Sequence, residues 1–268
     1  GCRMIFSKTR PIKVVMIGTG GTGGHIAPHL YRLLYALDRP VKFILCDGDV
    51  VEEKNLVRQN FTAADLGENK AKVTAERYSA AFGLETSYVP DFIESADRLE
   101  QLVTPETWGG SQYGRYPFGR THDGRPVSEL VILIGAVDNN RSRQMCHEVF
   151  MRSKELIYID SGNGEYTGQV VCGIRRSGKT IYKPIGLMHP ELFEDEDLFP
   201  SELSCAEASV SAPQTIVANL MAATAVVTIV YNILVLGDSR IEQTTFSTRS
   251  VGIRSTLKKS RKRRKYAA

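Results

Sequence analysis

Apolar residues along this chain fall into short continuous runs separated by stretches where they recur every three or four positions. Continuous runs suit strands buried on both faces, and recurrence at i, i+3 and i+4 suits a helix with one buried side. Val14–Ile17 predicts a first strand. Ile26, Leu30, Leu33, Leu34 and Leu37 predict a helix, and Val41–Leu45 predicts a second strand ending near Asp47. No clean period follows up to Leu66, so loop and short helical turns are expected there. Ala71, Ala75, Tyr78 and Phe82 place an amphipathic helix over Lys70–Phe82. Thr86–Phe92 reads as a third strand and Ile93–Val103 as a helix. Residues 104–127, rich in Gly, Pro, Tyr and Arg, read as a surface insertion.

The second half is less regular. Leu130–Ile134 and Leu156–Ile159 are apolar runs that predict further buried strands, with a helix over Met145–Arg152 between them. Gln169–Ile174 and Thr180–Lys183, joined by a Ser-Gly turn, predict a hairpin. An acidic loop over 190–207 carries six carboxylates between Glu191 and Glu202. No charged residue occurs from Ala208 to Gly237, yet Ser209, Gln214, Thr215, Asn219 and Asn232 interrupt that stretch. Such interruptions favour a helix buried in a core or dimer interface over a membrane span. Thr244–Ile253 predicts a last strand. The pattern as a whole predicts an α/β fold: a Rossmann-like doubly wound mixed sheet, parallel in its first half with antiparallel strands in its second.

Composition adds two points. Hydrophobic residues at 42% and charged residues at 24% describe an ordinary globular chain of 268 residues. Five scattered cysteines, with no CxxC pair and no long apolar segment at the start, argue for a reducing cytoplasm and against a disulfide framework, a signal peptide or structural zinc. The net charge of +4 conceals an asymmetry. Eight positive side chains lie between Arg254 and Lys265, which leaves the remainder at −4. Residues 1–253 therefore read as the folded domain and 254–268 as a basic, disordered tail. Contact between that tail and nucleic acid is the less favoured reading.

Candidate chemistry gathers where predicted strands end. Gly18, Gly20, Gly21 and Gly23 stand between strand and helix in a GxGxxG arrangement, where glycines let backbone N–H groups approach phosphate. Asp47, at the end of the second strand, is placed to receive a ribose hydroxyl. Arg58 beside Asn55, then Lys70, then Asp138 and Asn139 with Arg143 beyond, could converge on the same crevice. Two cations and a carboxylate able to hold magnesium suit a triphosphate better than a dinucleotide. An NAD-dependent oxidoreductase, which Asp47 alone permits, and a non-catalytic nucleotide-binding regulatory module are the alternatives.

In order along the chain, GTGGTG, CDGDVVEEKNLVRQNF, GENKA, AVDNNRSR, SGNGEYTGQV and SCAEASVSAP resemble the successive motifs of the ThiF/MoeB family. The tyrosine-rich insertion and the long helix after the glycine loop are also similar to a plasmid-borne branch, the PRTRC-cassette type. The resemblance implies an adenylyltransferase that activates the C-terminal carboxylate of a small β-grasp, ubiquitin-like protein ending in Gly-Gly, and works as a homodimer. By the same resemblance Gly18, Gly20, Gly21 and Gly23 hold ATP phosphates and Asp47 the ribose. Asn55, Arg58, Lys70 and Asn139 contact the nucleotide, and Asp138 places magnesium. Some members carry an acyl-accepting cysteine where Cys205 stands, but the acidic loop beside it opposes a thiolate, so an incidental thiol is expected. Three departures are visible. The paired zinc cysteines are missing, with Cys172 alone. The N-terminal arginine that reaches a partner subunit has no clear counterpart in Arg3 or Arg10. Ser209 stands where a glycine is usual.

Overall fold

The computed structural model describes residues 4–84, 86–108, 126–194, 197–203 and 213–259. A nine-stranded sheet forms the body. Its parallel part contains β1 (Ile12–Ile17), β2 (Val41–Cys46), β3 (Thr86–Val89), β6 (Leu130–Gly135) and β7 (Leu156–Asn163). The antiparallel part adds β8 (Thr167–Arg176), β9 (Lys179–Tyr182), β10 (Ile241–Ser247) and β11 (Gly252–Leu257). The strand order is β11-β10-β8-β7-β6-β1-β2-β3, with β9 also on β8. This is the expected mixed sheet. Two short strands, β4 (Thr107–Trp108) and β5 (Val127–Ser128), pair beside it where the insertion leaves and rejoins the body.

β1 and β6 are buried throughout, which explains why both are apolar apart from Lys13, whose Nζ donates to Thr104 O at 2.7 Å. Successive residues serve opposite faces. Ile12, Val14 and Met16 pack with α1 (Gly23–Tyr35), α2 (Lys70–Phe82) and α6 (Ile216–Tyr231). Val15 and Ile17 pack with α3 (Ala96–Val103) and α4 (Asn140–Arg152). A further short helix, α5 (Ile185–Met188), is a single turn on the α4 side. The chain moves one way from β1 to β2 to β3, then crosses to the other side of β1 for β6 and β7. That reversal opens a crevice outside the carboxyl ends of β1 and β6.

Several boundaries differ from expectation for local reasons. The first helix contains Pro28, which removes an interior N–H. The carbonyl it leaves open, Gly24 O, accepts from Asn60 Nδ2 at 3.1 Å, so α1 continues to Tyr35, with Leu37 packed beyond it. The third strand stops at Val89 rather than Phe92, and α3 starts at Ala96 with Ser95 as its cap. Helix α4 starts at Asn140, five residues before the predicted Met145, because Asn139 caps it. The single strand expected over Thr244–Ile253 is a hairpin, turning at 248–251, with Val251 at φ +51°. Its second strand, β11, carries Arg254 within the sheet, so the ordered body extends beyond residue 253. Residues 260–268 of the basic tail lie outside the described residues.

The uncharged stretch forms α6 followed by a π-helical turn over Asn232–Leu236 and a left-handed Gly237. Ile216–Leu236 is long enough, and at mean hydropathy 1.9 apolar enough, to cross a membrane by composition. It packs against α1, β7, β8 and β10 instead, with Asn219, Ala222, Val226, Ile229 and Ile233 fully or almost fully buried. Ile216, Val217, Leu220 and Tyr231 remain exposed on its outer side. Arg10, considered as an active-site arginine, lies at the amino-terminal end of the sheet. It donates to the carbonyls of Ser128 and Glu129 and pairs with Glu155. Arg3 is outside the described residues. Cys172 is interior to β8, where burial pushes its thiol up to about 12.

Candidate active site

The crevice at the switch between β1 and β6 is a cavity of about 690 Å³, within the usual range for a small-molecule site. Its floor is the turn after β1. Gly18 has φ +96°, and a Cβ there would stand 2.4 Å from Ala136 O, so the turn after β1 and the turn after β6 touch at this point. Only glycine satisfies both conditions. Gly20 and Gly21 line the cavity, whereas Gly23 does not. A Cβ on Gly23 would meet Gly18 O at 2.0 Å. Gly23, expected among the phosphate contacts, lies outside the cavity lining and lets α1 start directly against the loop.

The turn after β2 supplies Asp47. Its Oδ2 accepts from Thr19 N at 2.8 Å and Thr19 Oγ1 at 3.1 Å, and its Oδ1 accepts from Asp49 N at 2.9 Å. Oδ2 is thereby used twice, whereas Oδ1 keeps a second lone pair. The following segment winds into a 3₁₀ turn over Glu53–Val57, closed by Asn55 Oδ1 accepting from Glu52 N at 2.8 Å. Asn55 thus braces the turn that delivers Arg58. The Arg58 guanidinium lies across the glycine loop, where a Cβ on Gly21 would sit 2.1 Å from its Nη1.

Lys70 is the first residue of α2, oriented by Asn69, which caps the helix by accepting from Lys72 N. Its side chain is nearly buried, and Nζ lies 3.6 Å from Asp49 Oδ2. Asp49 was not singled out from the sequence, although it stands two positions after Asp47 at the same strand end. Burial pushes its carboxyl up, the neighbouring charges of Asp47 and Asp138 push the same way, and Lys70 opposes them. Three carboxylates therefore share one electrostatic neighbourhood with Lys70. Burial lowers the Arg58 guanidinium pKa, and the Asp138 charge opposes that only in part.

Asp138 and Asn139 follow β6 and line the same cavity. Asn139, expected to contact nucleotide, spends its Oδ1 on the α4 N-terminus by accepting from Ser142 N at 2.8 Å. Arg143 fastens the turn from below. It donates to Val137 O at 2.7 Å and Ser161 O at 3.3 Å, and pairs with the fully buried Asp160 at 3.2 Å. The ends of β6 and β7 are thereby joined beneath Asp138. The sequence pattern marked Arg143 but missed Asp160, whose only signal was a carboxylate closing the run Leu-Ile-Tyr-Ile.

Of the sequence-predicted residues, Gly18, Gly20, Gly21, Asp47, Asn55, Arg58, Lys70, Asp138 and Asn139 all line this cavity. Cys205 and Ser209 lie outside the described residues. No group of three or more His, Cys, Asp or Glu suited to a metal ion occurs among the described residues.

Solved structures with the same architecture include PaaA, at 18% identity and TM-score 0.59, with 92% of this chain covering 64% of that one. Another is E. coli MccB with ATP, at 19% identity and TM-score 0.59, covering 93% of this chain and 64% of that one. A third is the microcin C7 biosynthetic enzyme MccB in complex with N-formylated MccA, at 17% identity and TM-score 0.59, covering 93% and 65%. At these identities the likeness concerns the fold, and this chain spans less than two-thirds of the length of each. No curated protein matches it by sequence. The ThiF family matches residues 6–267, and the chain belongs to that family.

Proposed function

We propose that this protein is an ATP-dependent adenylyltransferase that activates the C-terminal carboxylate of a small protein or peptide as an acyl-adenylate. The observation that carries the reading is convergence: two cations, Arg58 and Lys70, and the Asp138 carboxylate meet the glycine loop in one cavity. A dinucleotide carries a pyrophosphate that backbone N–H groups largely satisfy. A triphosphate needs additional cations, which Arg58 and Lys70 supply beside the glycine loop.

In this reading the N–H groups of Gly20 and Gly21 face phosphate, those of Gly18 and Thr19 being spent on Cys46 O and Asp47, and the remaining lone pair of Asp47 Oδ1 receives the ribose. Arg58 and Lys70 offset the charge that develops on departing pyrophosphate. Asn55 and Asn139 act by holding the turns that present Arg58 and Asp138. A substrate carboxylate oxygen attacks the α-phosphorus in line, the bond to the β-phosphate bridge oxygen breaks, and pyrophosphate leaves. No general base is required, because the carboxylate is already ionised at neutral pH. Asp138, with Asp49 beside it, offers the hard oxygen donors that magnesium takes, and one or two carboxylates suffice when phosphates and water complete the shell. That ion, when bound, neutralises phosphate charge.

MccB has been solved with ATP and with MccA, which supports a nucleotide and a small peptide or protein as the two substrates. The finer reading is a β-grasp, ubiquitin-like partner ending in Gly-Gly, a homodimer and a cytoplasmic setting. The exposed Ile216, Val217, Leu220 and Tyr231 on α6 offer an apolar stripe for self-association. The test is exchange of labelled pyrophosphate into ATP in the presence of a small protein ending in Gly-Gly. Arg58→Ala and Asp138→Ala abolish exchange while far-UV circular dichroism stays native. Exchange at wild-type rate in both variants refutes the reading.

A further inference from the structure

Arg58 is held in an unusual manner. Its Nη1 donates to Gln214 Oε1 at 3.0 Å and to Asn219 Oδ1 at 3.1 Å. Both acceptors are neutral carboxamides, and among the described residues no carboxylate lies within ion-pair distance of Arg58. Half-buried arginines are ordinarily matched by an acid, because removing an unpaired charge from water is costly.

The clasp is itself fixed. Asn219 is fully buried in the first turn of α6, and its Nδ2 faces Gln214 Oε1 at 3.1 Å, Thr22 Oγ1 at 3.4 Å and Asn163 Oδ1 at 3.5 Å. With those acceptors on one side, the amide has one sensible orientation, and its oxygen must face Arg58. Thr22 belongs to the glycine loop and donates to Asn163 Oδ1 at 2.9 Å at the end of β7. The network therefore ties the glycine loop, β7 and α6 to one guanidinium. Gln214, the residue before the α6 cap Thr215, lines the cavity.

Resting on the adenylation reading, the geometry points to Gln214 and Asn219 as positioning residues that hold the Arg58 guanidinium across Gly21, aimed at the phosphates, without neutralising it. A carboxylate at either place would hold the arginine equally well but cancel the charge that the triphosphate is to meet. A neutral clasp removes most of the side chain's rotational freedom in advance and leaves the full positive charge for the nucleotide.

The test uses calorimetry on the full chain with magnesium ATP and with AMP, for wild type, Arg58→Ala, Gln214→Glu and the double variant, with thermal melts to establish folding. Gln214→Glu keeps the size of the side chain and adds a negative charge, and Gln214→Leu repeats the measurement should the glutamate variant not fold. Arg58→Ala and Gln214→Glu each weaken ATP binding about tenfold or more and change AMP binding less than about twofold, the range expected for one charge-assisted contact. The double variant, Arg58→Ala with the uncharged Gln214→Leu, loses no more than Arg58→Ala alone, since Gln214 acts through that arginine. Wild-type ATP affinity in Gln214→Glu, or losses that multiply in the double variant, overturn the clasp while leaving the adenylation reading intact. Absence of ATP binding by the wild type overturns the adenylation reading and the clasp with it. Equal weakening of ATP and AMP shows a merely structural role and overturns the clasp.

Discussion

Replacing Gly21 with alanine tests the cavity with a single methyl group. The added Cβ would stand 2.1 Å from Arg58 Nη1, 2.9 Å from Asn219 Oδ1 and 3.0 Å from Asn219 Nδ2. Ordinary contact begins near 3.4 Å, so Arg58 must retreat by about 1.3 Å. Asn219 must give by a smaller amount, but it is buried and tied on three sides, so the arginine makes the larger move. A shift of that size exceeds the slack in its bonds of 3.0 and 3.1 Å to Gln214 and Asn219. Overpacking of this kind costs about 1–3 kcal/mol, which for a chain of this length lowers the melting temperature by roughly 2–10 °C. Losing one charge-assisted contact to phosphate costs about 1.5–3 kcal/mol, roughly a ten- to hundredfold weaker ATP affinity. Calorimetry with magnesium ATP beside a thermal melt reads both effects. Gly164→Ala serves as the stability control, because a methyl there meets nothing within 4 Å. A folded Gly21→Ala protein that binds ATP within about twofold of wild type refutes the placement of Arg58 against the phosphates.

Two further outcomes follow from the same geometry. Asp160→Ala leaves the buried Arg143 guanidinium without its carboxylate and costs about 3–5 kcal/mol, read as a shift in the urea midpoint; a loss below about 1 kcal/mol would show that the carbonyls of Val137 and Ser161 suffice. Asp49→Asn raises the melting temperature of the ligand-free protein at neutral pH. Burial, then the Asp47 charge, pushes the Asp49 carboxyl up, so the folded state holds that proton more tightly than the unfolded state and stability falls as pH rises through the window between the two values. The gain from asparagine is therefore present above that window and fades as pH falls through it. The Asp49 side chain is 57% exposed, so solvent screening keeps the effect small. A lower melting temperature at neutral pH would mean that its pairing with Lys70 outweighs the repulsion.

The alternation of elements was legible where the parallel strands are largely buried on both faces, as β1, β2 and β6 are, because such strands must be mostly apolar. The runs Val14–Ile17, Val41–Leu45 and Leu130–Ile134 accordingly mark β1, β2 and β6 to within two residues at either end. Where an element faces the cavity, that signal fails. The first turn of α4 reads Asn-Arg-Ser-Arg because it borders polar space and the Asp160 carboxylate, so its start was hidden. The turn between β10 and β11 was equally invisible, since Val251 adopts a positive φ that its sequence gives no reason to expect.

By itself, then, the amino-acid order determined the layered α/β architecture, the glycine turn, and the choice of Asp47, Arg58, Lys70 and Asp138, which line one cavity at the ends of elements. Burial and backbone freedom act over a few neighbouring residues, and a linear pattern records them. Tertiary structure alone decided that Gly23 packs against Gly18, that Asn139 caps a helix, that Asp49 faces Lys70, and that Arg58 rests on two amides 156 and 161 positions away. Hydrogen bonds and charges act through space at a few ångströms, and only the folded path of the chain determines which distant residues come within that reach.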